Sequence, residues 1–354
     1  MKLQYVTDQM PGIRRVRRGR GFAYQADDGH WLTAKDEVDQ AHLHRIRSLA
    51  IPPAYEQVWI CPLPTGHMQA TGRDARGRKQ YRYHPQWRER QEGDKFDRLL
   101  AFGEALPRLR RRVSQALASP IGRRPGRDIV LATLIRLLDT TLVRVGNEVY
   151  ARDNRSYGLT TLRARHVQVQ GSHLALRFRG KSGVLHDVQL DDPRVAAIVR
   201  RCQDMPGQEL FQYVDDEGIV HAVGSAELNE QIRHACGEAF TAKDFRTWHA
   251  TVHAWARLSP CASGSKRGDD PCEVLSQAAR KRLVNEALRE VAGLLGNTLA
   301  VCRKSYVHPH VLECALLAEW PEQAAEAPAR RGLNQQERAL LAFLKARSSA
   351  TGSH

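Results

Sequence analysis

The apolar residues of this chain change period along its length, and that change limits the folds open to it. Ile129, Leu131, Leu134, Ile135, Leu138, Leu142 and Val143 give a broad helical face. Between residues 163 and 190 the period becomes two. His166–Gln170, His173–Arg179 and Val184–Leu190 alternate, separated by Gly171-Ser172 and by Gly180-Lys181-Ser182-Gly183. Breaks this short join antiparallel neighbours, so a three-stranded meander is expected. From Pro193 the helical spacing returns, through Ala226–Ala239, Lys243–Leu258, Pro271–Leu295 and Tyr306–Trp320.

Residues 1–85 read as a small β-rich unit. Phe22-Ala23-Tyr24 and Trp31-Leu32 are strand candidates on either side of Asp28-Gly29, a hairpin-type turn. Gln57–Cys61 is a further strand, and Leu32–Leu49 contains a helical piece. A Gly-punctuated basic loop, Arg73–Lys79, leads into alternating aromatics at Tyr81 and Tyr83. Residues 86–118 are helical and polar, with an arginine run at 110–112. Residues 121–128 form a basic break, after which Asp128 is the expected N-cap of the next helix. Ser263–Asp270 reads as a polar loop, Pro321–Gly332 as a linker, Asn334–Arg347 as an amphipathic helix and Ser348–His354 as loose chain. The expected class is α+β: a small N-terminal antiparallel β-sheet domain at 1–88, a larger mostly α-helical domain with the meander at 89–320, and a linker and tail at 321–354.

The formal net charge is +15, and residues 1–200 hold 36 basic against 20 acidic residues. Such a stretch suits a polyanion, because each neutralised phosphate releases counterions. Residues 201–250 hold 4 basic and 9 acidic residues, and are expected to face mostly away from that partner. Seven cysteines without a C-x-x-C pair argue against a zinc site or a disulfide framework and for reduced, mostly buried thiols in a cytoplasm. No apolar run approaches the length of a membrane span. The first ten residues lack the apolar core of a secretion signal.

Four residues could carry chemistry. Lys181, at a hairpin tip, is compatible with a solvated turn charge or with an ammonium reaching into a groove. Arg144 and Arg246 each fit a helix-end or surface charge equally well. An isolated Tyr306 is compatible with a structural amphipathic role. Their combination with Asn297 is more telling. A phenol can attack a phosphodiester and hold the broken strand covalently. Two guanidinium forks can stabilise the pentacoordinate transition state. An amide can donate one more hydrogen bond, and an ammonium can protonate the departing 5′ oxygen.

Five segments carry a family resemblance. They are Gln69–Pro85, Arg144-Val145-Gly146-Asn147-Glu148, Gly180-Lys181-Ser182-Gly183, Lys243-Asp244-Phe245-Arg246-Thr247-Trp248, and Leu295-Gly296-Asn297 through Tyr306. In these segments and their order the chain resembles the poxvirus-like, bacterial type IB DNA topoisomerases, which share their catalytic fold with tyrosine recombinases. The likeness covers roughly residues 20–320.

The resemblance implies a C-shaped clamp on duplex DNA. It implies Tyr306 as the nucleophile of a 3′-phosphotyrosine, Arg144 and Arg246 as the phosphate clamp, with Arg144 also aiding proton transfer, Lys181 as general acid, and Asn297 as a donor to a nonbridging oxygen. Viral members carry His at that last position. Lys243 matches a lysine flanking the active site. Arg73, Arg78, Lys79, Gln80, Tyr81 and Tyr83 match a segment that enters the major groove. The implied activity is relaxation of supercoils without ATP, metal or cofactor, by a cytoplasmic, nucleoid-associated monomer. A tyrosine recombinase would usually show His three residues before the second arginine, where Lys243 stands, and a helical N-terminal domain. A noncatalytic DNA-binding protein would be expected to lack some of the five catalytic positions, all of which are filled here.

Overall fold

The computed structural model describes residues 3–75, 77–237, 240–259, 275–320 and 330–351, with backbone only at 89–95, 149 and 348–351. The chain divides into two compact units, Met1–Lys95 and Phe96–His354.

The first unit is built on five strands, β1 (Ile13–Arg18), β2 (Gly21–Gln25), β3 (Glu56–Ile60), β4 (Met68–Arg73) and β5 (Lys79–Tyr83), and one helix, α1 (Glu37–Ser48). They form one antiparallel sheet in the order β2-β1-β3-β4-β5. Asp36 caps α1 by accepting from the backbone N–H groups of Val38 and Asp39. Ile46 on α1 then packs against Ile13, Val58, Ile60 and Ala70 of the sheet.

The expected hairpin about Asp28-Gly29 is present but short: Leu32 N donates to Tyr24 O at 2.9 Å and Ala26 N to His30 O at 2.8 Å around a single Gln25–Trp31 bridge. The full strand partner of β2 is β1, which the sequence did not suggest. The reason is the sequence of β1, Ile-Arg-Arg-Val-Arg-Arg, whose charges conceal a strand. The Arg15 stem is half-buried, and its guanidinium donates to the carbonyls of Ile51, Pro52 and Tyr55 and lies 4.2 Å from the Phe22 ring centroid. A charged residue can therefore occupy a packed strand position once its head group is satisfied.

α2 (Pro85–Ala118) contains the boundary at residue 95, and the second unit continues with α3 (Arg127–Thr141), α4 (Glu148–Asn154), the meander β6 (Val167–Gln170), β7 (His173–Arg179) and β8 (Leu185–Asp191), then α5 (Pro193–Gln203). A hairpin of β9 (Gln212–Val214) and β10 (Val220–Ala222) follows, then α6 (Ser225–Cys236), α7 (Ala242–Leu258), α8 (Gln277–Leu295), α9 (Leu299–Ser305), α10 (Pro309–Leu317) and α11 (Gln335–Thr351). The meander pairs antiparallel in sequence order, as its period predicts. Trp248, Trp255, Phe102, Phe240 and Phe245 fill the core around α7.

Four local expectations change. Gly126, not Asp128, is the N-cap of α3; Asp128 sits in the first turn, where its charge still complements the helix dipole. The β9–β10 hairpin lies in the acidic stretch, where three-residue strands give too little alternation to read. Tyr306 does not open a helix: it caps the C-terminus of α9, and Pro309 starts α10. α11 continues to Thr351, beyond the expected end at Arg347. The loop at 263–270, the start of the 271–295 helix and positions 321–329 of the linker lie outside the described residues.

The arginine run holds a half-buried charge. Arg110 donates two bonds to Asp139, at 2.7 and 2.9 Å, and two to Glu337, both at 2.8 Å. His249 bonds Asp139 at 2.8 Å, and Trp248 Nε1 donates to Glu337 at 3.1 Å. Glu337 is 0% exposed and closes a capping box with Asn334 at the start of α11. One network thus ties α2, α3, α7 and α11 together. The five described cysteines are buried, and burial pushes the Cys202 thiol up to about 12. No described helix is long and apolar enough to cross a membrane.

Candidate active site

Most side chains of the site are delivered by breaks in regular structure, and Arg246 by the helix α7. α3 ends at Leu142 in a left-handed conformation, and the chain then extends through Arg144. Leu159 and Thr160 donate their backbone N–H groups back to the carbonyls of Arg144 and Val145 at 2.9 and 2.7 Å. Gly158 permits this crossing: a Cβ there would lie 2.5 Å from Gly146 N and 2.6 Å from Arg144 O.

Lys181 opens the short 3-10 turn between β7 and β8 and is exposed. Arg246 lies in the second turn of α7 and is only 4% exposed. Its guanidinium donates to the carbonyl of Leu142 and, at 2.7 Å, to that of Leu295. It therefore joins the ends of α3 and α8, the two helices from which Arg144 and Asn297 emerge. Gly296 ends α8 in a left-handed conformation, and Asn297 follows. Arg144 Nη2 donates to Asn297 Oδ1 at 2.5 Å. The Tyr306 ring centroid is 5.4 Å from the Arg246 guanidinium. Thr251 Oγ1 donates to the Tyr306 carbonyl at 3.2 Å, which holds the α9–α10 break in place.

Arg144, Lys181, Lys243, Arg246 and Tyr306 line one cavity of about 360 Å³. Asn297 sits behind Arg144 rather than in that lining. No carboxylate is among the described lining residues. Three buried donors, Arg144 Nη1, Arg246 Nε and Asn297 Nδ2, have no acceptor among the described residues. Unsatisfied buried donors are costly, and a cluster of them beside four cations suits an anion with several oxygens. Burial lowers the pKa of both Arg144 and Arg246, and in Arg246 the charge of Arg144 adds to it. Guanidinium groups stay protonated regardless.

Sequence reasoning passed over Asn147, Tyr150, Ser156 and Tyr157, which also line the cavity. Asn147 caps α4 by accepting from Tyr150 N at 3.0 Å, so this wall begins at a helix start. A larger cavity of about 850 Å³ shares Tyr157 and is lined by Arg152, Arg155, Arg163 and Arg165, but carboxylates, Glu148 and Glu209, also line it.

The basic residues singled out in the first unit cluster on the β4–β5 hairpin. Arg73 donates to Gln57 and to the Gly77 carbonyl. Asp74 accepts from Arg78 and Gln80 at 2.7 and 3.0 Å. Lys79 pairs with Asp8 at 2.5 Å and lies 5.6 Å from the ring centroid of Tyr81. Tyr81 and Tyr83 stack on one face, 6.0 Å apart.

A phenol beside a guanidinium group, with an ammonium lining the same cavity, gives a cationic pocket suited to an anionic substrate. Comparisons with known proteins identify the family. Residues 84–319 match the catalytic core of eukaryotic DNA topoisomerase I, and residues 21–74 match the N-terminal domain of bacterial DNA topoisomerase IB. DNA topoisomerase 1B of Acanthamoeba polyphaga mimivirus is 32% identical over 309 residues, covering 86% of this chain and 87% of the viral protein. DNA topoisomerase 1B of Vaccinia virus (strain Western Reserve) is 21% identical over 266 residues, 73% of this chain and 75% of its own length. The chain belongs to the type IB DNA topoisomerase family. It is an enzyme that acts on DNA and relaxes it by the type IB mechanism.

Proposed function

We propose that Tyr306 attacks the scissile phosphorus, the P–O5′ bond breaks, and a 3′-phosphotyrosine forms. Arg144 and Arg246 bind the nonbridging oxygens, Asn297 Nδ2 adds a donor, and Lys181 passes a proton to the departing O5′. Lys243, exposed at the cavity wall, holds a flanking phosphate. The broken end rotates about the intact strand, and its 5′-OH attacks the phosphotyrosine to reseal. One P–O bond is exchanged for another at each step, so ATP is not required. The guanidinium groups supply the positive charge that a metal would otherwise supply.

The observation that carries this reading is the cavity itself: a phenol and four cations, no carboxylate among the described lining residues, and buried donors beside it without acceptors. In the first unit, Arg73, Arg78, Lys79, Gln80, Tyr81 and Tyr83 contact the duplex. Their present partners include the partly exposed Asp8 and Asp74, and exchanging such pairs for phosphates costs little. The protein acts as a monomer inside the cell, on nucleoid DNA.

Plasmid relaxation with EDTA and without ATP tests the whole. Activity is expected for the wild type and none for Tyr306→Phe. A requirement for magnesium, or relaxation by the mutant, would sink the reading.

A further inference from the structure

His186 lies on β8, five residues after Lys181, and took no part in the chemistry above. Its ring stacks on Phe178 of β7, with centroids 4.9 Å apart and planes 11° from parallel. The same ring touches two backbones that carry active-site residues. A Cβ at position 180, next to Lys181, would lie 2.6 Å from both Cδ2 and Nε2 of His186. A Cβ at position 296, next to Asn297, would lie 3.2 Å from its Cε1. Glycine at both positions lets the imidazole fit between the β7–β8 turn and the corner after α8.

We infer that His186 is a positioning residue, a flat spacer that sets the Lys181 turn against the Gly296-Asn297 corner. The inference rests on the roles proposed for Lys181 and Asn297. The turn has few other restraints. Lys181 itself is exposed, and the described backbone bonds that close the turn run within it, from Gly180 N to Val184 O at 2.7 Å and from Gly183 N to Gly180 O at 3.1 Å. Its placement over the cavity therefore depends on what it leans on: the His186 ring and, beside it, the Val184 side chain, whose Cγ1 would lie 3.5 Å from a Cβ at position 296. An aliphatic side chain would leave the gap unfilled, and a longer cation would add charge beside Arg144 and Arg246. Burial, followed by the charges of those two arginines, lowers the imidazole pKa, so the spacer is uncharged at neutral pH.

The test is single-turnover formation of the covalent protein–DNA complex. The substrate is a duplex whose cleavage site has been located with the wild type, and whose 5′-bridging oxygen is either ordinary or replaced by sulfur. Sulfur leaves without a proton, so it relieves a defect in Lys181 placement. His186→Ala is expected to slow the ordinary substrate roughly ten- to hundredfold, the scale of a misplaced catalytic group, and the sulfur substrate by clearly less. His186→Phe, which keeps a flat ring on Phe178, should recover most of the loss. Gly180→Ala should slow cleavage through the same ring, and the double variant Gly180→Ala/His186→Ala should be no slower than His186→Ala. Gly180→Ala keeps every existing side chain, so it provides the comparison even if His186→Ala proves unstable. Wild-type cleavage by His186→Ala, or equal slowing on both substrates, overturns the positioning role. Lys181→Ala separates the failures. If it shows no difference between substrates, both readings fall; if it does and His186→Ala does not, only this one falls.

Discussion

Arg144 donates to the side-chain oxygen of Asn297 across 153 positions of sequence, and this bond leaves Asn297 Nδ2 and Arg144 Nη1 buried with no acceptor among the described residues. The amide is thereby oriented: its oxygen is taken by a guanidinium, so only its N–H groups remain to be offered. A reversed amide would turn an acceptor toward the anion.

That orientation predicts the ranking of substitutions at 297. Asn297→Ala removes one transition-state donor and should slow cleavage roughly hundredfold. Asn297→Asp should be slower still, because its carboxylate keeps the Arg144 contact but repels phosphate. Rapid-quench measurement of the covalent complex checks this; an aspartate variant as fast as the wild type contradicts it.

Lys181→Ala should slow cleavage of an ordinary phosphodiester about 10²- to 10⁴-fold, the usual worth of general acid catalysis. With sulfur as the bridging atom the deficit should largely vanish. Equal slowing on both substrates would remove Lys181 from proton transfer.

Gly158→Ala should impair cleavage although it lies outside the chemistry. Its methyl would meet Gly146 N and Arg144 O at about van der Waals overlap, so the strand carrying Arg144 must shift. Cleavage rate and melting temperature measured together will show whether activity falls further than stability; unchanged activity would mean that the backbone yields elsewhere.

The network around Arg110 makes stability depend on pH. His249 and Arg110 hold Asp139 well below the usual carboxylate range against its burial, and Arg110 and the Asn334 cap lower that of Glu337. Folded pKa values below the unfolded ones mean that this stabilisation is fully present above the unfolded carboxylate values, about 4. It is lost as pH falls through the folded ones. Denaturant melts of the full chain should show that loss below about pH 4. Glu337→Ala should cost about 1–3 kcal/mol at neutral pH, since it removes two bonds from a half-buried guanidinium and the buried acceptor of the Trp248 indole. A variant as stable as the wild type would refute the network's role.

Binding should weaken steeply with salt, and Lys79→Ala should reduce the slope of log affinity against log salt by about one. An unchanged slope would remove Lys79 from phosphate contact.

Much of this molecule is written locally. The period-two segments became β6–β8 because alternation is a property of neighbours, and the sequence named Arg144, Lys181, Arg246 and Tyr306, which the fold brings to one cavity. Other features were legible only in three dimensions. Arg110 reads as one charge in a polar helix, yet it closes a buried network whose partners are 29 and 227 positions away. The arginines of β1 mask a strand because residue type does not reveal where a guanidinium will find carbonyls. Tyr306 sits in a break between two helices that continuous apolar spacing hides. His186 acquires its place from glycines at 180 and 296, which only the folded chain brings to one ring. Periodicity and composition record short-range preferences, whereas burial of a charge or the wedge of a ring depends on contacts between distant segments, whose geometry exists only after packing.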